Sequence, residues 1–147
     1  MGGVMTFASV EEMLEAARCT LVRLSPLEAD RAVRGGAQLV DIRPEWQRRA
    51  DGEIPGALVV ERNHLEWRLH PESDARLPQA VAGARWVVHC TEGYTSSLAA
   101  ASLVALGLDA TDVVGGITAW REAGLPIVAG PTPVEQVVRG SGAEVRS

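Results

Sequence analysis

Cys90 closes the apolar run Val87-Val88-His89 and opens the loop Thr91-Glu92-Gly93-Tyr94-Thr95, which leads into Ser96-Ser97 and an alanine- and leucine-rich segment over 98–108. A strand, a tight turn and a helix start in that order would set the thiol at the mouth of the turn. Backbone N–H groups of residues 91–96 would then converge on it. The unpaired N–H groups of a helix start, with the dipole behind them, favour an anion. A thiolate is an anion, and it is the nucleophilic form of cysteine. The chemistry on offer is therefore nucleophilic attack by sulfur. Cysteine is also among the most buried residue types, so a core role competes, but a strand end before a glycine-containing turn favours a reactive thiolate.

Other residues are weaker candidates. Neighbouring side chains of a strand point to opposite faces, so His89 points away from Cys90 and is no general base for it. No Cys/His set has zinc spacing, and no metal site is read. Cys19 follows a helical stretch and reads as a small apolar filler rather than a resolving thiol. Asp41, Arg43 and Glu45 cluster at the end of another apolar run. A buried Asp41 needs donors; turn amides near Cys90 or the Arg43 guanidinium would serve.

The elements that must position these residues follow from punctuation and periodicity. Ser9 and Glu12 read as a capping box for a helix over 9–18. Strands are predicted over 21–24, 38–42, 57–60, 85–89 and 110–114. Helices are predicted at 26–34, behind Ser25-Pro26, and around 65–69, 95–106 and 117–123, with a helical turn over 79–82. Alternating strands and helices imply an α/β fold, a five-stranded parallel sheet flanked by helices. A short N-terminal helix lies in an extension over 1–20, the domain proper covers 21–128, and 129–147 read as a loose, flexible tail. Ligands of such sheets bind beyond the carboxyl ends of the strands. That edge collects Asp41 to Glu45, Glu61 to His64 (Arg62 among them), Cys90 to Thr95, and Gly115-Gly116.

Composition sets limits. The chain has 147 residues and 46% hydrophobic residues, which suits one globular domain. A net charge of −5 argues against nucleic acid or an anionic membrane as partner. Every basic residue is arginine, which removes Schiff-base lysine chemistry and leaves anions to arginine or backbone. Two cysteines make no disulfide framework and fit a reducing, cytoplasmic compartment. No signal peptide and no membrane span is read.

Three stretches together resemble a single-domain rhodanese, a member of a sulfurtransferase family. They are Val40-Asp41-Ile42-Arg43 with Gly52-Glu53-Ile54-Pro55-Gly56-Ala57, the loop from Cys90 to Thr95, and Gly115-Gly116-Ile117-Thr118-Ala119-Trp120 with Gly124-Leu125-Pro126. The resemblance implies a catalytic Cys90 that carries sulfur as a persulfide, held by the loop residues Thr91, Glu92, Gly93, Tyr94 and Thr95. It places the family's Asp-x-Arg pair on Asp41 and Arg43; Arg62 is a further supporting candidate on the same edge. It implies transfer of a sulfane sulfur from a small-molecule donor (thiosulfate, a persulfide or similar) to a thiol, cyanide or protein acceptor, with no cofactor. A non-catalytic binding module and a protein-to-protein sulfur relay are the alternatives. Two positions depart from the family: Glu53 stands where a histidine is usual, and Thr91-Glu92 replace the basic residue common in loops that handle thiosulfate. Phosphatases and arsenate reductases on this fold need an arginine six residues after the cysteine; Ser96 stands there.

Overall fold

The computed structural model of the protein describes residues 4–133. Strands β1 (Gln38–Asp41), β2 (Leu58–Val59), β3 (Arg85–His89) and β4 (Asp109–Asp112) form one parallel sheet in the order β2-β1-β3-β4. Around it lie α1 (Val10–Arg18), α2 (Pro26–Arg34), α3 (Glu45–Asp51), α4 (Leu65–Leu69), α5 (Thr95–Ala105) and α6 (Gly116–Glu122). A 3-10 turn, Arg62–His64, leads into α4.

Both faces of the sheet are covered, which is why its strands read as continuous apolar runs. Alternation along each strand sorts the core. Val40, Trp86 and Val88 pack with Leu65 and Leu69 of α4 and with Ala99, Ala100 and Leu103 of α5. Leu39 and Val87 pack on the other face with Ala29 of α2 and with Ile117 and Trp120 of α6. Leu103 is fully buried; truncating such a leucine to alanine costs about 2–5 kcal/mol.

Four strands are present among the described residues where five were expected. The run over 21–24 contributes one isolated bridge, Leu24 to Val113. Its physical limit is the helix that follows. Ser25 Oγ accepts from the Glu28 amide at 3.2 Å and Glu28 Oε1 accepts from the Ser25 amide at 2.8 Å. That reciprocal cap, with Pro26 at the first helical position, starts α2 before a strand can continue. The expected turn of helix over 79–82 is irregular chain, whereas 45–51, which has no predicted element, is helix α3.

The first residues of the expected tail are docked. Glu53 and Val128 form an antiparallel bridge. The Thr132 amide and hydroxyl donate to Glu53 at 2.9 and 2.6 Å. Residues 134–147 of that expected tail lie outside the described residues.

Candidate active site

The site is assembled at the carboxyl edge of the sheet, where β3 ends and α5 begins. Cys90 is 7% exposed, the loop that follows it turns tightly, and α5 starts at Thr95. Two backbone N–H groups reach the sulfur: Gly93 donates to Sγ at 3.3 Å and Ser96 at 3.4 Å. Ser96 lies in the first turn of α5, whose amides have no partner within the helix. Donors and dipole there favour negative charge on sulfur.

Carbonyl groups of the loop are tied down elsewhere. Cys90 C=O accepts from the Ile117 amide at 3.0 Å and Thr91 C=O from the Thr118 amide at 3.1 Å, both at the start of α6. Gly93 C=O accepts from Arg18 Nη2 at 2.7 Å and Arg23 Nη2 at 3.1 Å. In a trans peptide the N–H points opposite to the C=O. Fixing these carbonyls therefore turns the amides of Thr91, Glu92 and Tyr94 away from α6 and the arginines. Gly93 itself has φ +89°, and a Cβ there would lie 2.8 Å from the Gly115 nitrogen, so only glycine fits. The Gly115-Gly116 turn is as close: a Cβ on Gly116 would lie 2.4 Å from the Cys90 oxygen.

Behind the loop sits a buried carboxylate, Asp112 at the end of β4. It accepts from Ser96 Oγ and Ser97 Oγ, each at 2.8 Å, and from Arg23 Nε at 2.8 Å. Arg18 Nε donates to Ser97 Oγ at 3.0 Å, and the Arg18 guanidinium lies 5.8 Å from the centre of the Tyr94 ring.

Cys90 opens into a cleft of about 350 Å³ lined by Trp46, Gln47, Asp51, Thr91, Glu92, Tyr94 and Thr95. Thr91 Oγ1 donates to Gln47 Oε1 at 3.1 Å, which joins the loop to α3. Trp46 and Tyr94 are 66% and 59% exposed and form aromatic walls. The lining holds two carboxylates, Asp51 and Glu92, and no basic side chain.

The structure brings Cys90, Thr91, Glu92, Tyr94 and Thr95 to one cleft, with Gly93 beneath it. It does not bring Asp41, Arg43 or Arg62 there. Asp41 and Arg43 are fully buried and bonded to each other, Arg43 Nε to Oδ1 at 2.9 Å and Nη2 to Oδ2 at 2.7 Å. Arg43 Nη2 also donates to Gly52 C=O at 2.8 Å, so the pair braces the β1–α3 connection. The donors to Asp41 are the guanidinium and the backbone amide of Arg43, the amide at 3.1 Å, and not the turn amides near Cys90. Arg62 pairs with Glu66 one helical turn on, at 3.0 Å. Cys19 is exposed at the end of α1 rather than packed as a filler.

The buried charges explain one another. Burial alone would raise the Asp41 pKa; His89 and the Arg43 fork more than offset it and hold the carboxyl below its ordinary range. His89 is fully buried, and burial pushes its pKa down despite Asp41, 3.7 Å from Nε2. Burial thus disfavours the charged imidazole, whereas the Arg43 guanidinium keeps its charge, so Arg43 is the lasting counter-charge of Asp41. Glu53 is likewise held low: burial opposes its charge, and the Thr132 and Arg48 bonds outweigh burial. Arg48 Nη1 donates to Glu53 Oε2 at 2.7 Å and to Thr132 C=O at 2.8 Å.

Sequence reasoning missed Trp46, Gln47 and Asp51 of the cleft wall, and Arg18, Arg23, Ser97, Asp112 and the hydroxyl role of Ser96 behind the loop, though it expected the Ser96 amide at the sulfur. For α3 there was a usable signal: Pro44 before Glu45, arginines in the last turn and Gly52 after it are start and stop marks of a helix. For the others the partners lie 70 to 89 residues apart in Arg18–Gly93, Arg23–Gly93 and Arg23–Asp112, beyond any local pattern.

The sequence pattern of the Rhodanese-like domain matches residues 25–123. Among solved structures, a protein of unknown function from Rhodopseudomonas palustris, described as a possible tyrosine phosphatase, is 31% identical, covers 86% of this chain and 99% of its own, and superposes with a TM-score of 0.74. The polysulfide-sulfur transferase homodimer of Wolinella succinogenes is 23% identical over 80% of this chain and 85% of its own, TM-score 0.61. The thiosulfate sulfurtransferase of Pseudomonas aeruginosa is 24% identical over 82% of this chain and 22% of its own, TM-score 0.63. At these identities the last two share the fold alone. No curated protein matches the sequence.

Proposed function

The chain belongs to the rhodanese-like domain family, and we propose that it is a sulfurtransferase that carries a sulfane sulfur as a persulfide on Cys90. The observation that carries this reading is the pair of amides, Gly93 and Ser96, donating to Cys90 Sγ at 3.3 and 3.4 Å. Such donors stabilise the thiolate before attack and the terminal sulfur after it.

The reaction has two displacements. Cys90 thiolate attacks the sulfane sulfur of the donor. A sulfur–sulfur bond forms to Cys90, the donor's own bond to that sulfur breaks, and the donor leaves with the electron pair as sulfite or a thiolate. An acceptor thiolate or cyanide then attacks the outer sulfur, and Cys90 leaves as thiolate. No net oxidation occurs at Cys90, and no cofactor is required. This is covalent catalysis with ping-pong kinetics.

The cleft's walls bear on the donor. With Asp51 and Glu92 in the lining and no arginine or histidine, a dianion such as thiosulfate is repelled. A donor of low charge, such as an alkyl persulfide between the Trp46 and Tyr94 rings, fits better.

The possible phosphatase activity ascribed to the Rhodopseudomonas protein does not suit this loop. Ser96 stands where a phosphate-gripping arginine would be, and its hydroxyl is turned back to Asp112.

Intact-mass measurement after exposure to an alkyl hydropersulfide tests the proposal. A gain of one sulfur that peptide mapping places on Cys90, leaves Cys19 unmodified and is discharged by a thiol supports it. Sulfur on Cys19, or transfer surviving in Cys90→Ser, would defeat it. So would turnover of an aryl phosphate that is lost in Cys90→Ser.

A further inference from the structure

Each loop carbonyl near Cys90 needs a donor on the side away from the sulfur. Those of Cys90 and Thr91 have the first amides of α6. The Gly93 carbonyl has no α6 amide opposite it. It is met by two guanidinium groups, Arg18 Nη2 at 2.7 Å and Arg23 Nη2 at 3.1 Å, with the Ser97 hydroxyl farther off at 3.3 Å. Both arginines precede residue 25, where the family match begins.

The two arginines differ. Arg23 is also committed to Asp112 through Nε and Nη2, at 2.8 and 3.1 Å. Arg18 is bonded to no carboxylate among the described residues. Its three contacts all belong to the loop and the start of α5: Gly93 C=O, Ser97 Oγ at 3.0 Å and the face of the Tyr94 ring. α1, which carries it, has no fully buried residue. The last residue of an outlying helix thus sets the plane of the Gly93–Tyr94 peptide.

We propose that Arg18 is a positioning residue of the sulfur-transfer loop, and that α1 is therefore part of the active site. Its fork spans the Gly93 carbonyl and Ser97 Oγ, and so ties the Gly93–Tyr94 peptide to the start of α5, between the two amides, Gly93 and Ser96, that donate to Cys90 Sγ. Its charge adds positive potential behind a sulfur that must be negative both before attack and as the persulfide. The contribution is to orientation and charge, so it falls on turnover rather than on substrate affinity. The inference rests on the sulfurtransferase reading for its kinetic part only.

The test uses Arg18→Ala and Arg18→Lys in the full chain. Three quantities are measured: the rate of Cys90 alkylation by iodoacetamide, kcat and KM with an alkyl hydropersulfide, and the thermal midpoint. Arg18→Ala should slow alkylation and lower kcat, each by about tenfold, the size of one lost charge-assisted hydrogen bond, with KM unchanged. Arg18→Lys, which keeps the charge but not the fork, should recover part of both rates. Added guanidinium should restore Arg18→Ala, and sodium chloride at equal ionic strength should not. Wild-type rates in Arg18→Ala would overturn the proposal. So would a loss that follows the thermal midpoint and is recovered by neither lysine nor guanidinium. Should Arg18→Ala fail to fold, the kcat-to-KM split in Arg18→Lys decides the matter. If the wild-type protein takes no sulfur on Cys90, the sulfurtransferase reading fails, while the alkylation rates still judge Arg18.

Discussion

Ser96 and Asp112 meet at the root of the loop: the hydroxyl of the first-turn serine of α5 donates to Oδ2 of the last residue of β4 at 2.8 Å. The same oxygen accepts from Ser97, and Arg23 bonds both oxygens of the carboxylate. One buried acceptor therefore fastens a strand end, a helix start and the segment before α2. Asp112→Ala should leave the Arg23 guanidinium and two hydroxyls without that acceptor. Loss of one partner from a buried ion pair costs about 3–5 kcal/mol. Urea unfolding should show a free energy of unfolding lower by that amount and a correspondingly lower midpoint, with sulfur transfer falling in parallel. A variant as stable as wild type would mean that water replaces the carboxylate.

Glu92 should make thiosulfate a poor donor. It is exposed on the cleft wall, two residues from Cys90. At a few ångströms, like charges near a surface repel by up to about 4 kcal/mol before screening, and exposure and salt reduce this considerably. Glu92→Gln should raise kcat/KM for thiosulfate by roughly threefold to tenfold, and Glu92→Arg should raise it further. Both gains should shrink with added salt, and an alkyl persulfide should respond much less. Flat or reduced thiosulfate turnover in both variants would show that the carboxylate does not face the donor.

Stability should fall as pH drops below about 6.5, the ordinary histidine value. The sign follows from proton counting. His89 has a lowered pKa in the fold, so between its folded and unfolded values the unfolded chain binds the proton and the folded chain does not. Its contribution is complete above about 6.5 and is lost as pH falls towards the folded value, by at most about 1.4 kcal/mol per pH unit. Asp41 and Glu53, also lowered, act in a separate window below about pH 4. Urea midpoints measured between pH 8 and 5 should decline for wild type and stay level for His89→Gln. Equal slopes in the two proteins would show that His89 takes up its proton inside the fold.

The position of Cys90 and the course of its loop were legible because they are local: an apolar run, a cysteine, a glycine and a helix start lie within a few residues of each other. The two-sided sheet was legible from the apolar runs at Leu39-Val40 and Val87-Val88. The edge strand was overcounted because an apolar run shows only that burial suits it, while the Ser25–Glu28 cap decides where the chain turns. Helix α3 was overlooked because Arg48, its fully buried residue, reads as polar in any periodicity. The bracing of Gly93 by Arg18 and Arg23 depends on contacts 75 and 70 residues apart, which only the closed fold supplies.

The clasp between Glu53 and Thr132 redraws where the folding unit ends. The family match stops at residue 123, yet a chain cut there would lose the strand partner of Glu53 at Val128 and the donors at Thr132. Arg48 would lose its Thr132 carbonyl as well. A truncated protein would keep every residue of the Cys90 cleft and still have an opened flank under α3, the helix that supplies Trp46 and Gln47 to that cleft. Anyone trimming, fusing or circularly permuting this chain should therefore count residues 124–132 as part of the domain.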